Sequence, residues 1–189
     1  MAEEKPLIRG IFVGAIGAII VGLAALYLLA AAGGIPSNAD AKPPFIEKWI
    51  AQKALHAAIA RQAPKGPNPV AFSDENLIAG IKLYAADCAV CHGAADAKPS
   101  DIAQGLYQKA PQLAKYGVED DEDGETYWKV YHGIRMTGMP AFRETLSEND
   151  LWKITLFLKN MDSLPPAPKK VWEAVPSSAR SDQRTRVKK

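Results

Sequence analysis

The pentapeptide Cys88-Ala89-Val90-Cys91-His92 contains both cysteines of this 189-residue chain and constrains it more than any other stretch. Two thiols separated by two residues cannot staple distant segments, so a disulfide framework is excluded. The pair belongs instead to redox, metal or haem chemistry, and the helix around it must present both sulfurs on one side of a single turn.

Three readings compete for that pair. A thioredoxin-type motif needs a buried strand before it and a βαβ context. Here Ser73-Asp74-Glu75-Asn76 precedes it as a helix start, with Ser73 as N-cap, acids in the first turn, and Leu77, Gly80, Ile81 and Tyr84 at helical spacing. A structural zinc site needs four Cys or His ligands, and only His56 and His132 lie outside the motif. Covalent haem attachment needs two thiols for two vinyl groups and a histidine directly after the second, and all three are present.

Around this motif, residues 71–165 resemble a class I cytochrome c domain. Cys88, Cys91 and His92 match the attachment motif, and Gly138-Met139-Pro140-Ala141-Phe142 matches the later loop in which that family places its axial methionine. The resemblance implies an all-α fold around one covalent haem c, with His92 and Met139 on the iron. It also implies a last helix crossing the first. Ser147-Glu148-Asn149-Asp150 followed by Leu151, Trp152, Ile154, Leu156, Phe157 and Leu158 supplies one, and Gly80 admits a close crossing beside Phe157 or Trp152. In relatives a proline carbonyl after the motif fixes the histidine ring; Pro111 in Ala110-Pro111-Gln112-Leu113 is the candidate, with Pro99 as runner-up.

The residues make their own case for Met139. A thioether is a soft, neutral ligand, and His/Met ligation raises the reduction potential relative to stronger donors. Two filled axial positions leave no open site for substrate, which suits electron transfer and disfavours catalysis. His132 precedes Gly133 and reads as the end of a helix over 125–132. Met136 reads as packing or partly exposed. Met139 is held between Gly138, which permits an unusual backbone angle, and Pro140, which fixes φ.

Residues 10–35 contain no charge, and about 20 such residues cross a bilayer core. A signal-peptide core is shorter, so an uncleaved signal anchor is preferred over a cleaved leader, although Ala30-Ala31-Ala32 offers small residues to a peptidase. Tyr27 suits the interface. Gly10, Gly14, Ala18 and Gly22 form a small-residue stripe on which another integral subunit can pack. Haem attachment occurs outside the bacterial cytoplasmic membrane, as the resemblance implies. Residues 1–9 are therefore expected in the cytoplasm and the haem domain in the periplasm.

Residues 36–69 form a connector. Within it Phe45, Ile46, Trp49, Ile50, Ala54, Ala57 and Ala58 share a side, the pattern of an amphipathic helix near the bilayer surface or against a partner. His56 reads as an ordinary surface histidine. Residues 63–69 (APKGPNP) break the chain and mark a boundary before a domain at 70–165.

Formal charge is 0 over residues 1–10, +3 over 36–69, −6 over 70–163 and +5 over 164–189. An acidic centre between basic flanks is not a nucleic-acid footprint. Residues 119–125 hold six acids in seven; they imitate a calcium loop only until Val130 falls where its glutamate should be. They are expected to form a solvated loop that repels or docks partners. Residues 166–189 read as an extended linker and a basic, mostly disordered tail on lipid, on a neighbouring subunit or in solvent. The whole reads as a membrane-anchored monohaem cytochrome c, a subunit of a respiratory or photosynthetic complex with protein donor and acceptor. The alternatives are the electron-entry subunit of a membrane reductase or oxidase, or a haem-based gas sensor.

Overall fold

The computed structural model describes residues 4–177. It contains eight α-helices and, among the described residues, no strand. The chain divides into two units, residues 1–41 and 42–189.

The first unit is built on α1 (Glu4–Ala31). Its stretch Ile8–Ala31 has a mean hydropathy of 2.5 and none of its residues is buried, so it is long and apolar enough to cross a membrane. The helix stops short of Ile35. Gly33 takes φ +74°, its N–H reaches the Ala30 carbonyl, and the Gly34 N–H reaches that of Leu29. This paired closure is what a left-handed glycine allows at a helix end.

The second unit contains α2 (Phe45–Gln62), α3 (Asp74–Asp87), α4 (Ala89–His92), α5 (Asp101–Gly105), α6 (Asp123–His132), α7 (Glu148–Lys159) and α8 (Pro166–Glu173). The Ser73 hydroxyl accepts from the Asn76 N–H at the start of α3, and Ser147 caps α7 through the Asp150 N–H in the same way. Helices α3 and α7 form the central crossing, which buries Leu77, Ile81, Tyr84, Leu151, Ile154 and Phe157. A Cβ on Gly80 would collide with the Lys153 carbonyl and sit 3.1 Å from the Phe157 Cβ. The crossing therefore uses Phe157, whereas Trp152 stacks on Tyr127 of α6 with ring centroids 3.9 Å apart.

Three sequence expectations change here. Residues 166–173 are helical rather than an extended linker. Pro166 suits a first helical turn, and Trp172 is buried in the core, edge-on to Tyr84 and Phe157 at 5.5 and 5.0 Å. The segment 63–69 is stitched down rather than open. The Asn68 N–H donates to the Asp123 carboxylate, its side-chain amide donates to the Trp152 carbonyl and accepts from the Val70 N–H, and Pro64 lies against Gly124. Helix α2 thus belongs to the same compact unit as the rest. Its inner side is not the aromatic one: Leu55, Ala58, Ile59 and the following Ala63 pack on Trp128 of α6. The remaining expectation for the tail, residues 178–189, lies outside the described residues.

Candidate functional site

Helix α3 runs into Cys88, whose N–H still bonds to the Tyr84 carbonyl, and the chain turns at once into the short α4. The Cys91 and His92 N–H groups both reach the Cys88 carbonyl, at 3.0 and 2.9 Å, so the motif is a tight helical turn. Gly93 ends it at φ +79°, and the Tyr84 hydroxyl donates to the Gly93 carbonyl at 2.8 Å. The core aromatic therefore fixes the loop that carries the thiols. Neither sulfur is in a disulfide. Burial, then Asp87 and Cys91, pushes the Cys88 thiol up to about 12, and burial raises Cys91 as well. Both are held as thiols at neutral pH.

His92 Nδ1 lies 2.9 Å from the Pro111 carbonyl. A carbonyl only accepts, so Nδ1 carries the proton and Nε2 keeps its lone pair. Burial lowers the basicity of this ring, against the pull of the Pro111 carbonyl, and so keeps the imidazole neutral. The neighbouring loop is anchored by the Leu113 N–H on the His92 carbonyl and by the Gln112 amide on the Cys91 carbonyl. Pro111, rather than Pro99, is the partner of this histidine.

The loop after α6 carries Met139. Gly133 at φ +65° turns the chain, and a Cβ there would run into the Pro140 backbone. The Ile134 N–H bonds to the Met139 carbonyl at 3.2 Å, and the Thr137 hydroxyl receives the Met139 N–H at 3.1 Å. Gly138 does not use the freedom a glycine permits; the left-handed angle in this loop is at Met136, φ +60°. Gly138 answers a different need: a Cβ there would come within 2.5 Å of Leu106 Cδ2. Met136 points away, 78% exposed.

Cys88, Cys91, His92 and Met139 all line one cavity of about 330 Å³. Its walls are mainly apolar, with Leu106, Leu113, Val118, Val130, Ile134, Phe142 and Leu158 among them. His132, Met136 and His56 are not in that lining. His132 ends α6 against Trp128, with Arg143 near its Nδ1, and His56 is exposed on α2. Leu55 and Thr126 are among the lining residues that escaped sequence reasoning. Leu55 reaches the cavity from α2, and its i,i+4 partner Ile59 was the available signal. Thr126, four residues before the lining Val130, is buried with its hydroxyl unpartnered.

These features fit a haem. The apolar walls suit a flat macrocycle, two free thiols stand one turn apart, a neutral imidazole and a thioether share the lining, and an orphaned hydroxyl awaits a polar substituent. Lys129 is at the rim, but its charge is taken up by Asp121 and Glu125 at 2.8 and 2.7 Å. Burial opposes its charge, yet those two carboxylates hold its ammonium above the ordinary lysine range.

Comparison with known families gives one finding. Residues 75–158 match the family model described as cytochrome c oxidase, cbb3-type, subunit III. No curated protein and no solved structure matches the chain. The matched segment includes the thiol turn, the Pro111 loop, the methionine loop and both crossing helices, and it stops before α8. Residues 75–158 are therefore a class I c-type cytochrome domain, a haem-bearing electron-transfer module, on a chain whose first helix fits a membrane anchor.

Proposed function

We propose that this protein is a membrane-tethered carrier of single electrons with one covalent haem c. Cys88 and Cys91 hold the haem through thioether bonds, while His92 and Met139 are its axial ligands. The observation that carries this reading is the convergence of both thiols, the tied-back imidazole and the thioether on one mainly apolar cavity. When bound, the haem supplies a one-electron couple. The chain's own residues do the rest. Pro111 orients the His92 ring, the Thr137 hydroxyl and Gly133 shape the methionine loop, and the leucine and valine walls exclude water. Excluding water from a site with a fixed ligand set reduces rearrangement on electron transfer and raises the potential.

The haem domain is placed on the periplasmic side of the inner membrane, anchored by α1, and works among integral subunits of a respiratory or photosynthetic complex with protein donor and acceptor. A second reading makes the chain the electron-entry subunit of an oxidase whose catalytic centre lies in another chain. The description of the matching family, a subunit of a cytochrome c oxidase, favours it. Purified holoprotein should show a mass increase of one haem that survives denaturation and, when oxidised, the weak red sulfur-to-iron band. Absence of that band removes Met139 from the iron. Purification in mild detergent should recover an oxidase for the second reading; a lone monomer counts against any complex.

A further inference from the structure

Helix α2 has two apolar sides, and the fold uses only one of them. Its inner side packs Ala58 and Ile59 on α6, lends Leu55 to the cavity and places the Glu47 carboxylate on the Tyr107 hydroxyl at 2.9 and 3.0 Å. On the opposite arc, spanning about 140° at 100° per residue, stand Phe45 (82% exposed), Ile46 (63%), Trp49 (50%) and Ile50 (54%). Four large apolar side chains in one exposed turn and a half are not ordinary scatter; such a patch marks a surface that something covers.

We propose that the outer face of α2 lies in the interfacial layer of the bilayer that α1 enters, among anionic lipid headgroups. Charge on the helix selects this occupant. Its one acid, Glu47, is engaged by Tyr107, so the exposed charges are Lys48, Lys53 and Arg61. Lys53 falls within the apolar arc itself, where a long stem can lie on hydrocarbon while its ammonium meets a phosphate. Aromatic and aliphatic anchors with a lysine among them, on a helix whose other exposed charges are basic, suit a helix lying in the plane of a membrane. A second copy of this face would instead set lysine against lysine. Covalent reach agrees: residues 32–44 link α1 to α2, and a 13-residue segment spans at most about 45 Å when extended. Because Leu55 of the same helix lines the haem cavity, a lipid-seated α2 would fix the tilt of the haem relative to the membrane as well as its height.

This inference rests on the anchor reading of α1, and the test separates the two. Full-length holoprotein is placed in nanodiscs of phosphatidylcholine and phosphatidylglycerol carrying a diazirine phosphatidylcholine, irradiated and mapped by peptide mass spectrometry. Lipid adducts are expected on α1 and on the peptide containing residues 45–50. The double variant Trp49→Gln/Ile50→Gln should lose the second set and keep the first, with an unchanged haem spectrum. Adducts on α1 with none on wild-type α2 overturn the proposal alone. A Trp49→p-benzoylphenylalanine variant irradiated in the same nanodiscs tests the alternative, and protein–protein cross-links from it in place of lipid adducts overturn the proposal in favour of a second copy or a subunit. An unlabelled α1 overturns the anchor reading and this proposal with it.

Discussion

Two methionines three residues apart take opposite fates because the backbone between them is not uniform. Met136 adopts the left-handed region and is thrown outward, whereas Met139 is tied by the Ile134 and Thr137 bonds and lines the cavity. Met139→Ala should therefore yield a reduced haem that binds CO, and Met136→Ala should not; optical titration with CO compares them. A labile methionine bond in the wild type, with ready CO binding, would favour the sensor alternative. Gly80→Ala probes the crossing of α3 and α7. The added methyl meets a backbone carbonyl that cannot swing aside, so a loss of about 1–3 kcal/mol is expected from overpacking, read as a lower denaturant midpoint. At this scale the sequence was highly legible: a thiol pair, the adjacent histidine and a Gly-Met-Pro loop are local patterns. What stayed hidden was which neighbour a residue avoids. Gly138 reads as a hinge until Leu106, thirty-two residues earlier, is seen against it.

At the scale of elements, α8 and α2 show where legibility ends. Periodicity reports that a face is apolar but not what meets it. The outer stripe of α2 was visible, while the smaller Leu55–Ile59 face that actually docks was not, because only Trp128 gives it a partner. The eight residues of α8 begin with Pro-Ala-Pro and read as linker, yet Trp172 supplies the third ring of the Tyr84–Phe157 cluster. Trp172→Ala should cost about 3–5 kcal/mol, as for other buried aromatics, where a solvated tail would cost nothing measurable by thermal melting. Beyond α8 the Ser177 hydroxyl donates to Asp96 at 2.6 Å. This bond, against a smaller opposing effect of burial, draws the Asp96 carboxyl below its ordinary 3.8. A depressed carboxylate stabilises the fold above its unfolded pKa, and the contribution is lost as pH falls through the folded value. Ser177→Ala should thus be less stable than wild type at neutral pH, and the gap should close on acidification below the carboxylate range.

Across the whole molecule, charge is partitioned by region. Residues 70–163 carry a formal net −6, and some of their charges are engaged internally. Lys129 takes Asp121 and Glu125, and the Lys159 ammonium sits among the carbonyls of Val118, Glu119 and Asp121. Asp74, Glu75, Asp87, Asp120 and Asp162 are exposed, and the domain's net negative charge attracts a basic partner, so the bimolecular electron-transfer rate with such a partner should fall as ionic strength rises. Stopped-flow measurements across a salt series read this directly, and a flat profile would remove the acidic face from docking.

The aromatic cluster also sets a timetable. Tyr84 holds the thiol turn through the Gly93 carbonyl, and its own ring is wedged by Phe157 and by Trp172, near the end of the described chain. Cys88 and Cys91 precede Trp172 in the chain, so as the polypeptide is made from its amino end they emerge long before the ring that braces their turn. Their cradle is finished only when Trp172 arrives. The thiol turn therefore passes through an interval on a more pliable chain, which ends when the last described helix packs on α3.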